Sequence, residues 1–243
     1  MLEAALWGIA SASSLLIGAL IALRFSLPPR VVGLVMGFGA GALISAVSFE
    51  LIEEAIEATR GTWVVGVGIA AGALTFFGGD WVIDRRGGAE RKSVSGEQTE
   101  GNPAAIVLGS VLDGVPESIV IGGSLVVGGG VSVAMVAAAF LSNLPESLGA
   151  TAGMVKAGTS QRSLLLIWLG IVAVSGASAA FGYWVLDDAS LRLGAFFQSF
   201  AAGAMLTMLA DTMMPEAFEE GGKLVGLFTT LGFALAVWLS FQG

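Results

Sequence analysis

Residues 111–118 read VLDGVPES, and 29 residues further on residues 140–147 read FLSNLPES. Each stretch sets a proline and a glutamate inside a run of apolar residues long enough to cross a bilayer. Asp113, Glu117 and Glu146 would then lie where lipid should be, and a carboxylate there costs at least a few kcal/mol unless it meets a cation or water. That cost has to be met by function or by partners. It also ties these two segments together as neighbours.

The surrounding chain supports a membrane setting. Of its 243 residues 55% are hydrophobic and only 12% charged, with a mean hydropathy of +0.86. A soluble domain carries roughly 25% charged residues. Cysteine and histidine are both absent, which removes disulfides, thiolate metal sites and the commonest transition-metal ligand. A net charge of −8 and a pI near 4.5 argue against nucleic acid as a partner. The N-terminus carries Glu3 instead of a basic stretch, and its apolar run continues to Leu23, so it reads as a first membrane helix and not as a cleaved signal.

Apolar runs of about 20 residues predict eight helices in a single transmembrane domain, 1–243. They fall near 4–24, 31–56, 62–84, 103–127, 130–156, 162–186, 191–214 and 222–242, with a flexible loop at 85–102. Basic residues cluster in alternate connections: Arg24 and Arg30, then Arg85, Arg86, Arg91 and Lys92, then Lys156 and Arg162, then Lys223. The other connections hold only Arg60 and Arg192. The positive-inside rule makes the odd loops cytoplasmic and both termini extracytoplasmic. The 36 glycines spread through the helices read as packing residues that let backbones approach.

An internal repeat is visible. FGAGALISAVSFELIEEA (38–55) resembles FAAGAMLTMLADTMMPEA (200–217), aligning Gly41 with Gly203 and Glu54 with Glu216. The predicted helices run in opposite directions, as in the inverted repeats of many transporters.

Depth and spacing single out the motif residues. Asp113 lies ten residues after Pro103 and Glu146 ten before Lys156, so at roughly 1.5 Å per residue both reach the middle of a roughly 30 Å core. Asp113 and Glu117, four apart, share a helix face, as do Ser142 or Asn143 with Glu146. Pro116 and Pro145 free the carbonyls of Leu112 and Leu141. Carboxylates, an amide, a hydroxyl and free carbonyls make an oxygen-lined cation site. Glu50, Glu53, Glu54 and Glu57 follow helical spacing and could line an acidic entrance, with Glu50 the deepest. Asp211 and Glu216 mark a possible exit at the other side.

At these residues the chain resembles the ZIP (Zrt/Irt-like) family of divalent-metal transporters. That resemblance implies an all-α, eight-helix 3+2+3 bundle with helices 1–3 and 6–8 as an inverted repeat. It further implies a dimer in the cell membrane, alternating access and metal movement into the cytoplasm. The family carries His-Asn-x-Pro-Glu-Gly on helix four and His-x-x-Pro-Glu-Gly on helix five. Asp113 stands at the first histidine, Gly114 at the asparagine and Glu117 at the glutamate. In helix five Ser142 stands at the histidine, Asn143 follows it, and Glu146 is the glutamate. The motif glycines are Ser118 and Ser147. Helix six has no carboxylate to bridge a second ion, offering Ser175 and Ser178, and the histidine-rich loop motif is missing. These departures favour one site of Asp113, Glu117, Asn143 and Glu146, with Ser142 and water. Loss of imidazole shifts the expected cargo from Zn²⁺ toward Mn²⁺ or another hard ion, with Fe²⁺ also in range. The metal is cargo, and no cofactor is expected.

Two other classes compete. A non-transporting, metal-sensing or structural homologue would explain the lost histidines. An intramembrane aspartyl protease would need Tyr-Asp and Gly-x-Gly-Asp motifs. Tyr183 precedes Trp184, and FGGD at 77–80 has Phe in place of the first Gly, so no enzyme is expected.

Overall fold

The structure is a computed structural model that describes residues 1–60, 63–88, 103–127 and 130–241. Among these residues all regular structure is helical. The helices are α1 (Leu2–Arg24), α2 (Pro29–Thr59), α3 (Trp63–Ile83), α4 (Pro103–Val127), α5 (Val133–Lys156) and α6 (Gln161–Asp187). Next comes α7, which is Leu191–Met208 carried on through Leu209–Met213 and Met214–Gly221, and then α8 (Val225–Ser240). Seven helical spans are long and apolar enough to cross a membrane, the last of them the 50-residue Leu191–Ser240.

That last span doubles back. Gly222 adopts φ 65° and ψ −158°, a conformation that favours glycine. Before it, α7 runs antiparallel to α2: Gln198 bonds Glu54 near one end of α2 and Gly221 abuts Gly33 near the other. Beyond it, α8 returns along α2, with Val225 against Gly37, Thr229 against Gly41 and Ser240 bonded to Glu50.

Polarity is arranged inside out. Leu74, Trp184 and Leu227 are more than half exposed, whereas Asp113, Glu117 and Glu146 are buried. A water-soluble protein buries its large apolar side chains and exposes charge; lipid as solvent reverses the preference. The interior is built from small residues, and its largest fully buried side chain, Trp168, gives its indole N–H to Thr151 Oγ1 at 2.8 Å.

Two groups of helices result. In one, α1 packs on α5 and α6, and α6 packs on α4. In the other, α2 packs on α8 and α3 on α7, and the two groups meet where α2 packs on α5. The repeat segments make matching contacts within the second group. Gly232 lies on the Phe38 carbonyl and Gly72 on the Phe200 carbonyl, while Gly41 lies on the Thr229 carbonyl and Gly203 on that of Ile69. None of the four has room for a Cβ. The likeness extends to the helix itself, because wide π-turns begin at the aligned residues Val47 and Leu209. Beside each, a hydroxyl donates to the carbonyl four residues back: Ser48 to Ile44 at 2.7 Å and Thr212 to Met208 at 2.8 Å. Such side-chain bonds compete with the backbone ladder and accompany local unwinding.

Of the predicted loop at 85–102, residues 85–88 instead continue α3 as a wide turn, Asp84–Gly88. The remainder lies outside the described residues.

Candidate metal site

Both motif prolines sit inside unbroken helices, Pro116 in α4 and Pro145 in α5. Asp113, Glu117, Ser142, Asn143 and Glu146 are each no more than 6% exposed. The two motifs meet where Ser142 Oγ faces Glu117 Oε1 at 3.5 Å. The same hydroxyl lies 3.0 Å from the Ala139 carbonyl. Its single proton is within reach of both acceptors, the Glu117 carboxylate and the Ala139 carbonyl. A cation between the two oxygens would require that proton to turn to the Ala139 carbonyl. An ion about 2.1 Å from each oxygen, a normal zinc–oxygen distance, would subtend a roughly tetrahedral angle at this separation.

The other predicted ligands are buried on the same two helices without completing a cage. Among the described residues, no three carboxylates converge closely enough to hold a metal ion. The Leu141 carbonyl, freed by Pro145, is covered from α2: a Cβ on Gly39 would stand 2.8 Å from it. It serves helix packing here. Gly114, next to Asp113, faces α6, where a Cβ would come within 3.7 Å of Ser175 Oγ. The serines that follow the two motif glutamates turn inward on their own helices. Ser118 donates to the Gly114 carbonyl at 2.7 Å and Ser147 to that of Leu144 at 3.0 Å.

A second polar cluster surrounds Glu50. Ser132 Oγ donates to Glu50 Oε2 and Ser240 Oγ to Oε1, each at 2.6 Å. Gln198 Nε2 donates to Glu54 Oε2 at 2.9 Å. Glu50, Glu54, Ser124, Ser132 and Gln198 line a cavity of about 20 Å³, room for one water-sized occupant. Sequence spacing marked Glu50 and Glu54 but missed Ser124, Ser132, Gln198 and Ser240. Only Ser132 carried a local signal, as the N-cap of α5 accepting from Met135 N–H at 3.1 Å. Glu53 and Glu57 are exposed at the same end of α2. Asp211 is exposed in the wide turn of α7, and Glu216 is buried one turn beyond.

The chain is 28% identical over 221 residues to a protein of Arabidopsis thaliana named "Putative zinc transporter". The match covers 89% of this chain and 35% of the plant protein, so the chain spans about a third of the relative's length. No protein-family model matches the chain. The comparison joins a multi-helix membrane bundle with buried acidic motifs to a relative named for metal transport.

Proposed function

We propose that this chain is a ZIP-like transporter of divalent metal ions and that it works as a dimer with both termini extracytoplasmic. The reading counts eight membrane crossings, because the span Leu191–Ser240 turns back at Gly222, in a 3+2+3 arrangement. The inverted repeat is supported by the reciprocal glycine contacts of α2–α8 and α3–α7. The observation that carries the function is the buried Glu117–Ser142 juxtaposition, which joins the Pro-Glu motifs of α4 and α5 where the Ser142 hydroxyl meets the carboxylate oxygen at 3.5 Å.

In this reading Glu117 is the anchoring carboxylate and Ser142 the neutral ligand beside it. Asp113, Asn143 and Glu146 line the remaining coordination sphere and approach the ion as it loads. Glu50 and Glu54 draw cations toward the mouth, Glu53 adds charge there, and Asp211 and Glu216 lie along the exit into the cytoplasm. An all-oxygen ligand set gives Mn²⁺ its best standing relative to Zn²⁺ and Fe²⁺, although softer ions remain competitive on Irving–Williams grounds.

Uptake into proteoliposomes of Mn²⁺, Fe²⁺, Zn²⁺, Cd²⁺, Mg²⁺ and Ca²⁺ tests this, with Glu117→Ala and Glu146→Ala as controls. Saturable uptake abolished by both variants is expected, with Mn²⁺ ranked high. A strong Zn²⁺ preference would overturn the hard-metal assignment while leaving transport intact. No uptake of any ion by folded protein would instead favour a sensing role.

A further inference from the structure

Between α3, α4 and α7 runs an apolar cavity of about 460 Å³. Phe76 of α3, Leu108, Leu112 and Pro116 of α4, and Phe200 of α7 form its walls. It opens beside Leu108 and Val82, both well exposed, on a surface that in a membrane faces hydrocarbon. Among the described residues lining it, only Arg86 is charged, and it is an exposed residue.

We propose that this groove binds one anionic phospholipid, with an acyl chain between the three helices and the phosphate on Arg86. An empty apolar slot of this size would forfeit the dispersion contacts of every side chain lining it, and in a bilayer the material at hand to fill it is an acyl chain. The dimensions agree. Arg86 and Phe76 are ten residues apart along α3, roughly 15 Å at helical rise, the depth of one leaflet of a roughly 30 Å hydrocarbon core.

The level of the headgroup is marked independently. Arg85 lies over the Trp81 ring at 3.6 Å, and indole rings concentrate at the membrane–water interface. Arg85 is thereby occupied on its neighbour's ring, while Arg86 borders the groove. A basic residue at the end of a cleft between membrane helices is the arrangement that selects anionic headgroups. The groove also reaches Val115 and Pro116, which lie between Asp113 and Glu117. A chain seated there would brace the helical turn that presents both carboxylates.

The test is native mass spectrometry of the full chain, delipidated in detergent and titrated with phosphatidylglycerol or phosphatidylcholine bearing identical acyl chains. Wild type should retain one phosphatidylglycerol with about a fivefold preference, the order expected for one basic residue near an anionic headgroup. Arg86→Gln should remove the preference and keep the lipid. Thr75→Trp, which fills the groove from the exposed side of α3, should lose both lipids while its melting temperature holds. Excess inorganic phosphate should not displace the bound lipid. Equal retention of the two lipids by wild type, or retention unchanged in both variants, would overturn the proposal. Neither result bears on metal uptake, so this inference and the transport reading fail separately.

Discussion

Glu117 and Ser142 were legible before any coordinates, because a Pro-Glu pair inside an apolar run has few structural uses. Their separation was not legible, nor was the sharing of the Ser142 hydroxyl with Ala139. The partners of Glu50 were hidden for a different reason: Ser132 and Ser240 lie 82 and 190 positions away, beyond the reach of helical spacing. Glu117→Gln keeps the shape and removes the charge. We expect uptake to fall at least tenfold, with the melting temperature of the metal-free protein unchanged or raised, since a buried charge has been removed. Any metal-induced rise in melting temperature should vanish with it. Ser142→Cys replaces a hard ligand by a soft one in a chain that has no cysteine. It should move the uptake ranking toward Cd²⁺ and Zn²⁺; an unchanged ranking would remove Ser142 from the ligand set.

Among the helices, glycine has two distinct uses that the sequence alone does not separate. Gly122 lies on the Ala179 carbonyl, where a Cβ has no space, whereas the nearest atom to a Cβ on Gly114 is 3.7 Å away. Gly122→Ala should therefore force α4 from α6, at a cost of about 1–3 kcal/mol or more. Gly114→Ala should be tolerated and should gain about 0.5–1 kcal/mol of helix preference. Thermal unfolding in detergent compares the two directly. Apolar runs mark helices because in lipid the backbone must satisfy its own hydrogen bonds. The wide turns in α2 and α7 escaped notice, since Ser48 and Thr212 act through backbone competition and not through hydropathy. The extension of α3 through residues 85–88 escaped for the opposite reason: its polar composition reads as loop while its backbone continues to coil.

At the scale of the whole molecule, the Ser132–Glu50 bond joins the α4–α5 connection to α2, and adds a polar tie to the packing of α2 on α5. Replacing both residues by cysteine in this cysteine-free chain, then bridging them with a short bifunctional thiol reagent, should stop uptake. A reducible linker should restore it on cleavage. Continued flux through a fully bridged population would show that the mouth beside Glu50 need not open. The repeat itself was legible as eighteen aligned residues, but its packing partners were not, because Val65, Gly66 and Gly72 of α3 match Val225, Gly226 and Gly232 of α8 only in the register that the contacts reveal. The reciprocal seating of Gly72 on Phe200 and of Gly232 on Phe38 has a consequence for how this chain tolerates change. A saturation-mutagenesis map should carry an echo, with the same intolerance of side chains recurring at Gly41 and Gly203, and again at Gly72 and Gly232. The echo should fade toward Glu50 and its counterpart Thr212, where a carboxylate bonded to two serines stands against a hydroxyl turned onto its own helix.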